Sequence, residues 1–225
     1  MSRPKGSRDI GHEAKRQNLL AKMTLHMVRR DGGRASLREL AAAAEVSVPT
    51  LRHYFGDRSQ VIDAVLAESL RRGRPGLDAQ RQDGRPFEAS IRHYAKDLVA
   101  ALTAPKTVRL GDLFAISLAE GFLDPRIGPS TLTHIVDPTV DALQARLAQH
   151  VERGEMIATD LRAAALMLVS PLLLTCLHQQ QLCGDETSPL KLEALVEDVA
   201  GAFLRAYSVA ARPEGRAQNV ALAAE

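Results

Sequence analysis

Thr50, Arg52, His53 and Tyr54 set a hydroxyl, a guanidinium, an imidazole and a phenol within five consecutive residues. These are the groups that read base edges and grip phosphates. They interleave with Leu51 and Phe55, which are four apart and share the opposite face of a helix. A short helix with an apolar back and such a front suits the DNA major groove. Elements that would hold it lie on both sides. Ser36 and Glu39 have the spacing of a capping box, and Leu37, Leu40, Ala41 and Ala44 give the helix they open one small apolar face. Glu45-Val46-Ser47 reads as a turn; Ser47 caps the next helix, and Pro49 fits a first turn whose amides have no intrahelical partner. Ser36–Phe55 therefore predicts a helix-turn-helix. The plainer reading is a helical hairpin with a solvated polar face.

The flanks extend the pattern. Leu20, Met23, Met27 and Val28 form a core stripe on a helix expected over His12–Arg30, and Gly32-Gly33 stops it. Beyond Gly56-Asp57, Val61, Ile62, Val65 and Leu66 give the next helix its apolar side. With Gly32, Ser36, Val46-Ser47, Pro49-Thr50-Leu51, Tyr54-Phe55 and Asp57-Arg58 in this order, the first seventy residues resemble the DNA-binding domain of the tetracycline-repressor (TetR) family. Two positions depart from that pattern. Glu45 stands where the family usually has Gly in a left-handed turn, and Arg52 where it usually has Tyr. The resemblance implies a DNA-contacting set of Arg38, Ser47, Val48, Pro49, Thr50, Arg52, His53, Tyr54 and Arg58. In it Thr50 and Arg52 read bases, Val48 and Pro49 meet thymine methyls, and Arg38, His53, Tyr54 and Arg58 sit on phosphates. Arg3, Lys5 and Arg8, in a tail expected to be open, are further candidates for the backbone or minor groove.

A chain of 225 residues, rich in Ala and Leu and without Trp, predicts an all-α protein of about nine helices. Residues 1–74 carry 15 Lys/Arg against 8 Asp/Glu, or +7; the remainder carries 14 against 19, or −5. A basic head on an acidic body fits an anionic polymer bound at one end. Gly and Pro in Arg71–Gly76 mark the boundary between a DNA-binding domain, 1–74, and a larger ligand-binding and dimerisation domain, 75–225. Helices are expected from Pro86 to Ala104, Lys106 to Glu120, Ser130 to Arg153 with a kink near Pro138, Asp160 to Leu182 with a kink at Pro171, and Ser188 to Ala211. Residues 212–225 read as an unstructured tail. Cys176 and Cys183, about 10 Å apart if on one helix, are too distant to bridge. The basic, polar start lacks the apolar stretch of a signal peptide, and the apolar run Ala163–Leu177, broken by Ser170 and Pro171, falls short of a membrane span of about 18–20 residues. A soluble cytoplasmic protein is expected.

No phosphate-binding Gly loop, nucleophile elbow or H-E-x-x-H is present, and seven scattered His make no ligand pair. No catalytic set, metal site or cofactor is expected. The apolar helix over 160–182 and the stripe Leu192, Leu195, Val196, Val199, Phe203, Leu204 predict a homodimer through a four-helix interface, and hence a palindromic operator. The resemblance implies an effector pocket among the middle helices, with Leu113, Phe114, Ser117, Phe122, His134 and Met167 as lining and a largely apolar small molecule as ligand. The leading reading is a ligand-released repressor. Its rivals are a DNA-organising protein with the same head and no inducer, and an enzyme or interaction module built on the C-terminal helices.

Overall fold

The computed structural model describes residues 6–29 and 34–209. Arg3, Lys5, the expected stop at Gly32-Gly33 and the expected tail 212–225 lie outside the described residues, whereas Arg8, expected in an open tail, falls in a helix that begins at Gly6. The elements are α1 (Gly6–Arg29), α2 (Leu37–Ala43), α3 (Val48–Phe55), α4 (Arg58–Gln80), α5 (Phe87–Thr103), α6 (Leu110–Leu123), α7 (Gly128–Thr131), α8 (Asp137–Glu152), α9 (Leu161–Gln181), α10 (Gly184–Thr187) and α11 (Leu192–Tyr207). A π-helical turn, Leu132–Val136, joins α7 to α8. Among the described residues there is no strand, only a single bridge between Met156 and Ser208. The fold is all-α, as the composition predicts.

The chain forms two compact units, each assembled from two separate stretches: Met1–Pro75 with Pro105–Pro138, and Gly76–Ala104 with Thr139–Glu225. In the first, Leu20, Met23, Leu40, Leu51, Ile62, Leu66 and Phe114 are fully buried, so the apolar faces of α1 to α4 close on one core together with α6. In the second, α5, α9 and α11 pack on one another, and Ile91, Leu102, Leu143, Leu147 and Leu168 are fully buried.

Arg146 of α8 is the buried cation of the second unit. It donates to Gln80 O at 2.8 Å, Gln80 Oε1 at 2.8 Å, Asp83 Oδ2 at 2.9 Å and Ser90 O at 3.3 Å, and lies 5.4 Å from the Tyr94 ring centre. A buried guanidinium is tolerated because its donors are matched in this way.

Three expectations change. The stretch Arg71–Gly76 is helical, since α4 runs through Pro75 to Gln80. Glu68, nearly buried, takes Arg71 at 2.7 and 2.8 Å and Arg72 at 2.7 Å, pairs three and four residues on that favour continued helix. The Arg71 hydrogen bonds, ahead of those from Arg72, hold its carboxyl below the usual range. In the expected helix Ser130–Arg153 the irregularity precedes Pro138: the Asp137 N–H reaches five residues back to Leu132 O. Finally, α9 spans 21 residues without a break at Ser170 or Pro171, and an 18-residue window of it with mean hydropathy 1.7 makes it long and apolar enough to cross a membrane. Only 33% of that apolar window is buried within one chain.

Candidate nucleic-acid interface

Local sequence builds the helix-turn-helix almost unaided. The Ser36 N–H donates to Glu39 Oε2 at 2.7 Å and the Glu39 N–H to Ser36 Oγ at 3.2 Å, closing the capping box. At the other end of α2, Val46 N–H reaches Ala41 O and Glu45 N–H reaches Ala42 O, both at 3.0 Å. This Schellman stop needs a left-handed residue, and Glu45 supplies it with φ 57°. Its carboxylate pairs with Lys22 at 2.7 Å. Ser47 then caps α3: its Oγ accepts from Thr50 N–H at 3.2 Å and lies 2.8 Å from Thr50 Oγ1.

Leu51 and Phe55 anchor α3 in the core, which turns Pro49, Arg52 and His53 to the surface, with Val48, Thr50 and Tyr54 half-buried beside them. Ser47 and, on α2, Arg38 are exposed. Eight of the nine sequence-selected residues thus lie on α2, α3 or the turn between them. Arg58 does not. Its guanidinium is taken by Glu120 of α6, at 2.9 and 2.5 Å, and by Ala35 O at 2.7 Å.

Three further residues join the surface. The His12 ring stacks on Tyr54 with centroids 5.0 Å apart, Lys15 Nζ lies 5.8 Å from the Tyr54 centroid, and Arg16 covers Phe55 at 5.2 Å. Positions 12, 15 and 16 share one face of α1, a spacing visible in the sequence. Basic groups of α1 therefore adjoin the polar front of α3, which suits contact with phosphates on either side of a groove.

The six ligand-lining candidates differ in burial and in the partners that hold them. Phe114 and Ser117 are buried in the first unit, the Ser117 hydroxyl donating to Phe114 O at 3.1 Å. Leu113 is half-buried. Phe122 is 82% exposed. His134 is engaged: its Nε2 lies 3.1 Å from Asp63 Oδ1, an oxygen that also accepts from Ser130 Oγ at 2.7 Å. Met167 belongs to the second unit, is 61% exposed and accepts a hydrogen bond from Tyr207 Oη at 3.0 Å. On another face of α6, Met27, Arg34, Ala35, Ile116, Ala119, Glu120 and Leu123 line an open cavity of about 230 Å³. Cys176 and Cys183 are free thiols, and burial pushes Cys176 up to about 11. Among the described residues no group of three or more His, Cys, Asp or Glu is placed to hold a metal ion.

Residues 89–209, more than half of the chain, match the family described as the AefR-like transcriptional repressor C-terminal domain, a TetR C-terminal domain. No curated relative matches the sequence. Solved structures of similar fold include a TetR-family transcriptional regulator from Mesorhizobium loti, 16% identical with a TM-score of 0.71, covering 88% of this chain and 98% of that one. The reduced form of Escherichia coli NemR is 19% identical with a TM-score of 0.66, covering 83% and 95%. The SmeT–triclosan complex is 18% identical with a TM-score of 0.61, covering 90% and 93%.

Proposed function

Because the chain belongs to the TetR family of transcriptional regulators, with a DNA-binding helix-turn-helix, we propose that it is a cytoplasmic repressor. It binds a palindromic operator as a homodimer and is released by a small, largely apolar effector. The observation that carries the reading is the presentation of α3: capped by Ser47, anchored by Leu51 and Phe55, and turning Pro49, Arg52 and His53 outward. Two copies related by a two-fold axis would set two such helices in successive major grooves, which is why the operator is palindromic. The effector reading draws on the triclosan bound by SmeT, a protein of similar fold.

In this reading Arg52 makes a bidentate contact to guanine, Thr50 reads the neighbouring base, and Val48 and Pro49 touch thymine methyls. Arg38, Ser47, His53 and Tyr54 position the head on phosphates. The test is a gel shift with duplexes flanking the protein's own gene, where regulators of this kind often bind. Arg52→Ala costs about 1–3 kcal/mol on the retained duplex and relaxes preference at one base pair. Equal affinity of Arg52→Ala and wild type for retained and random duplexes would remove the base-reading role. Compounds that raise the melting temperature yet leave the duplex bound would favour the DNA-organising protein over the inducible repressor.

A further inference from the structure

We propose that Glu120 is the positioning residue of the DNA-binding head, and that Arg58 and Arg34 serve it instead of the phosphate backbone. The proposal rests on the DNA-binding reading above. Arg58 spends three of its donors at once: Nη1 and Nη2 on the two oxygens of Glu120, at 2.9 and 2.5 Å, and Nε on Ala35 O at 2.7 Å. A guanidinium held on this fork has little left for a phosphate. Arg34 donates from Nε to the same carboxylate at 2.9 Å. The Glu120 side chain is 5% exposed, so both cations draw on a desolvated anion. Removing one partner from such a group costs far more than from a surface pair.

From Glu120 the alternation of charge continues until it closes. Arg34 Nη2 lies 3.7 Å from Asp124; Arg126 reaches Asp124 at 3.0 Å and Asp57 at 3.3 Å; and Asp57 is the residue before Arg58. Three cations and three anions so form one ring. It ties Arg34 and Ala35, which lead into α2, and Asp57 and Arg58, which follow α3, to the C-terminal end of α6. The segments it fixes are those on either side of the helix-turn-helix. The ring therefore sets the pose of α3 on α6 and offers no net charge to DNA.

The experiment uses full-length protein, the duplex retained in the gel shift and a random duplex of equal length, titrated over a range of NaCl. Wild type is compared with Arg58→Ala, Arg58→Lys, Glu120→Gln and the Arg58→Lys/Glu120→Gln double variant, with melting curves to establish folding. A positioning role predicts about tenfold weaker binding of the retained duplex by each single variant. It predicts little change on the random duplex, an unchanged salt slope, and a double variant no weaker than either single one. Lys keeps the charge but not the fork, so it fails in a clamp and succeeds on a phosphate. Near-wild-type binding by Arg58→Lys, with Arg58→Ala lowering the salt slope by about 0.9 for each phosphate no longer neutralised, would overturn the proposal. So would losses that add in the double variant. If Arg58→Ala does not fold, Arg58→Lys and Glu120→Gln still decide. Wild type retaining neither duplex would instead refute the DNA-binding reading, and this proposal with it.

Discussion

Glu45 holds a backbone conformation that suits glycine, φ 57°, at the stop of α2. An L side chain there costs on the order of 1 kcal/mol, and the Lys22 pair, with Glu45 76% exposed, returns only a fraction of it. Glu45→Gly should therefore raise the unfolding free energy by up to about 1 kcal/mol in urea titrations. His150 carries a pH dependence. It is fully buried, its Nδ1 lies 2.6 Å from Glu155 Oε2 and 2.8 Å from Arg153 Nη2, and its ring packs on Phe87 at 5.0 Å. Burial outweighs the Glu155 contact and lowers its pKa from 6.5. The folded form holds the ring neutral while the unfolded chain takes up a proton below about pH 6.5. This part of the stability is full above 6.5 and is lost as pH falls toward the depressed value. The His150→Gln variant should flatten the stability profile below about pH 6.5, read as urea midpoints. Glu155, held below 4.5 chiefly by its bond from His150, acts at lower pH still. At this scale the caps were legible because their partners are three to five residues apart. Arg58 was not: position suggested a phosphate contact, whereas its partner lies 62 residues away.

At the scale of elements, α9 and α11 leave one chain with apolar surface to spare. Leu174 is 66% exposed and Leu166 and Met167 flank it about two turns away, while Leu195, Val199 and Ala202 are half-buried or exposed along α11. Apolar residues left exposed on two helices that pack together suit an interface. Leu174→Asp should weaken self-association about 30-fold or more if it sits at the centre of that interface, measured by sedimentation over a concentration series. An unchanged dimer would place the interface elsewhere. The pattern that gave α9 away in the sequence is apolar residues all round, a period that names no single face. Helix ends were harder to read. Gly73, Pro75 and Gly76 look like a stop, yet α4 passes through them: the Glu68 pairs order the turn before them and Arg146 holds Gln80 beyond them, order that local propensity lacks. The wide turn before Pro138 shows the reverse: proline marks trouble, but the chain relieves it several residues earlier.

For the whole molecule, the order of the long helices was legible, whereas the four-residue helices α7 and α10 and the way the chain shares its helices between two units were not. Each unit takes one stretch from either side of the other's, an arrangement set by interactions between distant residues that periodicity does not encode. The charge ring is one of them, with Arg34 86 residues and Arg58 62 residues from Glu120. Its consequence reaches back to translation. A ribosome adds about 5–20 residues per second, so Glu120 follows Arg58 by roughly 3–12 s. For that interval the recognition helix has been made while the carboxylate that takes both arginines has not. The first unit waits for Pro138 before it can close, and the second, begun at Gly76, waits longer still. The head that meets nucleic acid is thus made well before it can close, and until its distant anion arrives it is a more strongly cationic object than the mature protein.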